Sequence, residues 1–293
     1  MYNVSRKGGG YMKLCNINVN GEIHLSIVTE RGVVNATAAG FPLSMDEVIR
    51  GAGRGELERL AGAGLPAVDG PVFENVVNRP GKLICVGLNY RAHADGLNDA
   101  KNFSTSDCPI LFSKYADSLV PSGAAVELPA WEKSYDYEAE LVIVMGSEAW
   151  NVSETEAMEH VFGYTCGNDL SCRDAQKRTS QWLVGKAMPG FGPCGPFIVT
   201  ADALDVDGGV GVRSYVNGEL RQNGNTREMI FSCAKIISYA SRYIRLSPGD
   251  LIFTGTPSGV ALEQREDKRV WIEPGDRIDV EIDGIGVLTN TMV

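Results

Sequence analysis

The stretch Tyr135-Asp136-Tyr137-Glu138-Ala139-Glu140-Leu141-Val142-Ile143-Val144-Met145 decides how this chain is read. Its tail is apolar and largely β-branched, the pattern of a strand buried on both faces. Successive strand side chains alternate between faces, so Glu138 and Glu140 emerge on the same side, about 6 to 7 Å apart along the chain. Two like charges in a core strand need a counter-charge, because a buried unpaired carboxylate is costly or takes up a proton. A divalent cation with oxygen ligands is the simplest one, and a salt bridge is the plainer alternative.

Working outward, 293 residues with 44% hydrophobic and 22% charged content suffice for one large domain, or one large and one small. A net charge of −10 argues against nucleic acid as a partner, since phosphate binding needs a basic face. No apolar run approaches the roughly 18 residues of a membrane-spanning helix, and no hydrophobic signal segment opens the chain. No membrane partner is expected. The seven cysteines are scattered, odd in number and without a Cys-x-x-Cys pair, so they read as reduced, mostly buried thiols of a cytoplasmic protein. The sequons at Asn3, Asn35, Asn102 and Asn151 carry no meaning without a route to secretion. Three histidines and no paired cysteines disfavour zinc; oxygen ligands favour Mg or Mn.

Residues 1–11 read as a disordered leader. Its Lys7-Gly8-Gly9-Gly10 tract resembles a ribosome-binding sequence translated in frame, which makes Met12 the expected native start. A small N-terminal domain over 12–75 is hairpin-rich, with an amphipathic helix around 45–60 interrupted by glycines and a linker around 69–79. The larger unit, 76–293, is dominated by short strands, expected at 83–86, 110–112, 138–145, 163–169, 197–199, 210–216, 250–254 and 278–282. Asp283-Gly284 marks a closing hairpin. The clearest helix spans 229–244, and a shorter one follows Ser153, with Glu156 completing a capping box. The class is β-rich α+β rather than alternating βαβ.

Several segments carry candidate chemistry. Leu83-Ile84-Cys85-Val86-Gly87-Leu88-Asn89-Tyr90-Arg91-Ala92-His93 ends a strand and delivers His93 into a polar segment, 91–107. There it is either a surface histidine or a general base on a movable lid. Asn168-Asp169 at a strand end precedes a helical segment in which Arg173 and Gln176, three apart, share a face; the plainer reading is a cap with a solvated arginine. Gly190-Phe191-Gly192-Pro193-Cys194-Gly195 matches the dinucleotide spacing literally, but its prolines forbid the helix that must follow, and it is rejected. Thr254-Gly255-Thr256-Pro257 offers hydroxyls and free amides for an anionic group, or is an ordinary turn.

Taken together, these motifs resemble the fumarylacetoacetate hydrolase family. The likeness covers roughly Pro80 to Gly286 and includes Asp136-Tyr137-Glu138-Ala139-Glu140-Leu141, the 168–176 segment, Leu111-Phe112-Ser113-Lys114, Gln181-Trp182-Leu183-Val184-Gly185-Lys186 and the 254–257 turn. The resemblance implies a mixed β-roll core, a homodimer, and Mg or Mn on Glu138, Glu140 and Asp169. It implies a small anionic 2-oxo acid substrate held by Arg173, Gln176, Lys114, Lys186 and Thr256, with His93 activating water and Lys186 also catalytic. Two departures stand out. The glutamate that many small members place three residues after the histidine is Gly96 here, leaving Asp95 or Asp99 as substitutes, and Ala187-Met188-Pro189-Gly190-Phe191 replaces the commoner apolar-Asp-Thr-Phe pattern. C–C hydrolysis of an acylpyruvate or fumarylpyruvate is the first expectation. Oxaloacetate decarboxylation, tautomerisation or isomerisation of an unsaturated keto diacid, and a catalytically silent binding protein are the alternatives.

Overall fold

The run Ala139–Met145 is completely buried and sits inside an 11-stranded sheet. Its side chains part to two sides: Leu141, Ile143 and Met145 enter one core cluster, and Val142 and Val144 another. That division is the alternation expected of a strand buried on both faces. The computed structural model describes residues 11–98 and 107–293, without the side chains of 95–98. The expectations for the leader over residues 1–10, and for Asp99 with the 99–106 part of the lid, lie outside the described residues, as does the side chain of Asp95.

Ala139–Met145 pairs antiparallel with Val161–Asn168 on one edge and with Leu251–Phe253 on the other. Leu251–Phe253 in turn runs parallel to Leu83–Gly87, with Leu251 opposite Leu83 and Phe253 opposite Cys85. Both strands therefore end at the same rim, beside the carboxylates. On the other side, Val161–Asn168 is followed by Gly192–Thr200, then Lys13–Val19, Glu22–Thr29 and Gly32–Asn35. The N-terminal hairpins thus continue the large sheet, and Leu14, Leu25 and Ile27 share a core with Val142, Val144 and Cys194. The 69–79 segment contributes Val72–Phe73, which pairs with Lys13–Val19.

A second, five-stranded sheet holds Glu219–Asn225, Gly211–Val216, Arg277–Ile282, Gly286–Met292 and Ala125–Val126. Its Val212, Val280, Ile282 and Leu288 join Leu141, Ile143 and the helix Cys233–Ser241 in one core cluster. The architecture is strand-rich α+β, with parallel and antiparallel pairs mixed in the large sheet.

Two helices differ from expectation. The 45–60 helix is two, Met45–Ile49 and Arg54–Gly62, because Gly51 and Gly53 between them take left-handed φ values of 94° and 75°. The 229–244 helix is confined to Cys233–Ser241, capped by Ser232 Oγ accepting from Lys235 N at 3.2 Å. Upstream, the Asn89 side chain captures the backbone of Phe231, donating to its O at 3.0 Å and accepting from its N at 2.8 Å, so those groups are lost to the helix.

Candidate active site

Pairing of the two central strands brings the acids together. Glu138 precedes Ala139–Met145, Glu140 lies within it, and Asp169 follows Val161–Asn168, whose Asn168 stands opposite Ala139. Asp169 N donates to Glu138 O, and Glu138 N donates to Asn168 Oδ1, both at 2.9 Å. One carboxylate oxygen from each of Glu138, Glu140 and Asp169 lies within 4.8 Å of the others, and all three residues are buried. At that spacing each charged pair repels by about 3 kcal/mol or more at an effective dielectric constant of about 20. The cluster therefore depends on cations.

Three are supplied by the described residues. Lys186 Nζ bridges Glu138 Oε2 and Asp169 Oδ2, the latter at 2.6 Å, and stands 5.1 Å from the centre of the Phe112 ring. Arg173 meets Glu138 Oε1 through Nη2 at 2.6 Å, Asp136 Oδ2 through Nε at 2.8 Å, and Gln176 Oε1 through Nη1 at 3.0 Å. Lys114 Nζ lies 2.7 Å from Asp169 Oδ1 and donates to the carbonyls of Leu170 and Lys186. With three protein acceptors its ammonium is fully engaged, so it braces Asp169 and the Lys186 backbone. Two short helices, Arg173–Lys177 and Leu183–Lys186, carry Arg173, Gln176 and Lys186, and Lys114 ends the strand Ile110–Lys114; at Gly185 an added Cβ would stand 2.4 Å from Gln176 N, so only glycine allows that approach.

The charges are unequally served. Burial opposes ionisation of Glu138, but Arg173, Lys186 and His93 outweigh it and hold this carboxyl well below the ordinary range. Burial pushes Glu140 well above it, with Asp169 and Glu138 adding repulsion; Lys186 and the Gly255 N–H, 2.8 Å from Oε2, only partly oppose this. For Lys186, burial favours the neutral amine, yet Asp169 and Glu138 overcome it and raise its affinity for the proton. Three converging oxygens, one of them on a carboxyl that burial and like charges drive toward protonation, suit a hard divalent cation such as Mg or Mn.

His93 is buried at 4% exposure, on the helix Arg91–Asn98, and is neither a surface nor a loop histidine. Its Nδ1 is hydrogen-bonded to Glu263 Oε1, a carboxylate 170 residues away that also accepts from Gly259 N at 2.6 Å. Glu263 ends the 3₁₀ turn Ala261–Glu263, and that turn is tied down by Asp136, whose carboxylate accepts from Ala261 N at 2.8 Å and Leu262 N at 3.0 Å. Asp136 thus joins Arg173 to the turn bearing Glu263. Thr256 reaches the strand as well, its hydroxyl donating to Ala139 O at 2.9 Å, so that proton is not offered to a ligand.

A family model described as the C-terminal domain of fumarylacetoacetate (FAA) hydrolase matches residues 82–293. The chain belongs to the fumarylacetoacetate hydrolase family. A fumarylacetoacetate hydrolase domain-containing protein 2 homologue of Dictyostelium discoideum is 42% identical over 223 residues, 73% of this chain and 72% of that one. A human mitochondrial oxaloacetate tautomerase is 38% identical over 219 residues, 74% of this chain and 68% of its own. Among solved structures, fumarylacetoacetate hydrolase from Exiguobacterium antarcticum superposes with a TM-score of 0.82 at 35% identity, covering 96% of this chain and 99% of that one. A maleylpyruvate hydrolase from a Sphingobium species, in complex with manganese(II) and pyruvate, gives 0.78 at 30% identity with the same coverage. The chain is an enzyme of this family, and the silent binding-protein alternative is set aside.

Glu263 escaped sequence reading because nothing in Ala261-Leu262-Glu263 marks a partner for a histidine so far upstream. Asp136 stood in the opening stretch, where its strand neighbours drew attention to the glutamates instead. The Gly96 departure is answered in the structure by a carboxylate from elsewhere in the chain.

Proposed function

We propose that this enzyme moves a proton between the keto and enol forms of a small 2-oxo dicarboxylate of the oxaloacetate type, with Mg or Mn held by Glu138, Glu140 and Asp169. The observation that carries this reading is the pairing of buried His93 with the partly exposed Glu263 beside the three carboxylates. When bound, the cation would polarise the 2-oxo group and acidify the adjoining carbon. Glu263 on Nδ1 sets the tautomer of His93, leaving Nε2 to take the proton from that carbon and pass it to the 2-oxo oxygen or, in the opposite direction, from the enol hydroxyl to the carbon. Arg173 and Lys186, both kept cationic, would meet the substrate's carboxylates, and Gln176 would donate from its amide nitrogen, since its oxygen already accepts from Arg173. Tautomerisation needs this proton acceptor and no positioned water. The relatives named oxaloacetate tautomerases, 36–39% identical over about three quarters of the chain, support placing it ahead of the hydrolysis that the motifs first suggested.

C–C hydrolysis of an acylpyruvate is the second reading. The same dyad favours it, because a histidine oriented by a carboxylate is equally a base for water. Purified enzyme loaded with Mn should be given the enol form of oxaloacetate and, separately, a panel of acylpyruvates. Enol loss without pyruvate release, abolished in His93→Ala, is the expected result. Pyruvate from an acylpyruvate with no effect on the enol form would overturn the first reading in favour of the second. We further assign a homodimer in a reducing compartment, the cytoplasm; none of the seven cysteines, all among the described residues, is in a disulfide, and light scattering together with fractionation of source cells checks both.

A further inference from the structure

Ala139 stands between the two glutamates at a place where its strand has outrun its neighbour. Leu251–Phe253 pairs only as far as Val142, so on that side the peptide groups of Ala139 have no strand to meet. A buried backbone donor or acceptor left unpaired is costly, and something must replace the missing strand. Gln222, buried in the strand Glu219–Asn225 of the other sheet, does so. Its Oε1 accepts from Ala139 N and from Ser214 Oγ, each at 2.9 Å, and its Nε2 donates to Thr256 Oγ1 and Pro257 O, each at 2.7 Å. Thr256 Oγ1 then donates to Ala139 O at 2.9 Å and closes a ring of three hydrogen bonds around Ala139.

We infer that Gln222 is a positioning residue for the metal centre: it sets the backbone between Glu138 and Glu140 and so fixes how their carboxylates converge. It touches neither acid. Both amide lone pairs and both N–H groups are engaged, so its own orientation is determined. The ring also ties the strand to the residue after Gly255, whose N–H holds Glu140, so both ends of the Glu140 side chain's setting depend on one amide. Ligand carboxylates lose affinity when their supporting hydrogen bonds go, by roughly 10- to 100-fold. The inference rests on the three acids holding a divalent cation, as proposed above.

The test is titration of the metal-free protein with Mn²⁺ alone, followed by calorimetry or by the electron paramagnetic resonance of free Mn²⁺. Gln222→Leu should weaken binding about tenfold or more. Ser214→Ala, which removes one bond to Gln222 on the side away from Ala139, should bind within about twofold of wild type. If Gln222→Leu does not fold, Thr256→Val opens the same ring at its other corner and should show the same loss. Gln222→Leu, or failing it Thr256→Val, with wild-type affinity overturns the inference while leaving the metal reading intact. Wild type that binds no Mn²⁺, or binds it undiminished in Glu140→Gln, overturns both.

Discussion

At the scale of single residues, the site divides into groups that hold charge and groups that hold direction. Glu140→Gln or Asp169→Asn removes a charge that a cation needs, and Mn²⁺ binding measured on the metal-free protein should be lost in either. Glu263 works through His93. Glu263→Gln should lower turnover about 10²-fold while leaving Mn²⁺ affinity near wild type, and His93→Ala combined with it should cost little more than His93→Ala alone. Additive losses in that cycle would show that the two side chains act separately. Glu138 and Glu140 were legible in the sequence from a local rule, spacing two on one strand; Asp169 entered only through the family resemblance, because its place depends on which strand pairs with theirs. Glu263 obeys no such rule. Its partnership depends on where two distant strands end, and the Gly96 departure pointed to Asp95 and Asp99 nearby rather than to a residue 170 positions on.

At the scale of elements, the 254–257 turn supports much of the site's geometry. Gly255 has φ of 96°, and a Cβ there would lie 2.7 Å from Asn89 Cβ and 3.1 Å from Val86 O. Gly255→Ala should therefore destabilise the fold by about 1–3 kcal/mol in denaturant unfolding, from strain at a left-handed position plus the clash. Mn²⁺ affinity should fall with it, since the same residue's N–H holds Glu140. The strands of this region were readable from their apolar runs. Their order was not, since periodicity says which face is buried and nothing about which strand lies alongside. The helix over 229–244 was overestimated for a related reason: its apolar spacing continues through Met229 and Ile230, but Asn89 claims the backbone of Phe231.

At the scale of the molecule, the charge cluster should govern how stability responds to pH once metal is chelated. Glu140 has a folded value raised above its unfolded one, so its contribution is fully present below the unfolded value and is lost as pH rises through the raised one. Glu138 is depressed, so its contribution is present above the unfolded value and is lost as pH falls through the folded one. Chelated protein should thus lose thermal stability on both sides of the ordinary carboxyl range. Added Mn²⁺, or Glu140→Gln, should remove the loss on the upper side; a melting temperature of chelated wild type that stays flat above and below that range would contradict this. The N-terminal hairpins bear on stability in another way. They were expected to form a small domain of their own, yet Lys13–Val19 covers the edge of Gly192–Thr200, and Leu14 and Ile27 pack with Val142 and Val144. A chain beginning at residue 76 should aggregate, as measured by soluble yield and dye binding to exposed apolar surface.

The parallel pair Leu83–Gly87 and Leu251–Phe253 also sets an order in time. A ribosome releases the three acids and both lysines well before it reaches the second of these strands, and Glu263 is the last site residue to emerge. Until that strand docks, a nascent chain already has the three acids but lacks the carboxylate paired with the histidine. Contacts of such long sequence separation form late. Catalytic competence therefore reports that nearly the whole chain has been made and folded, because a product that stops before that strand lacks the Gly255 and Thr256 contacts that set Glu140 as well as Glu263.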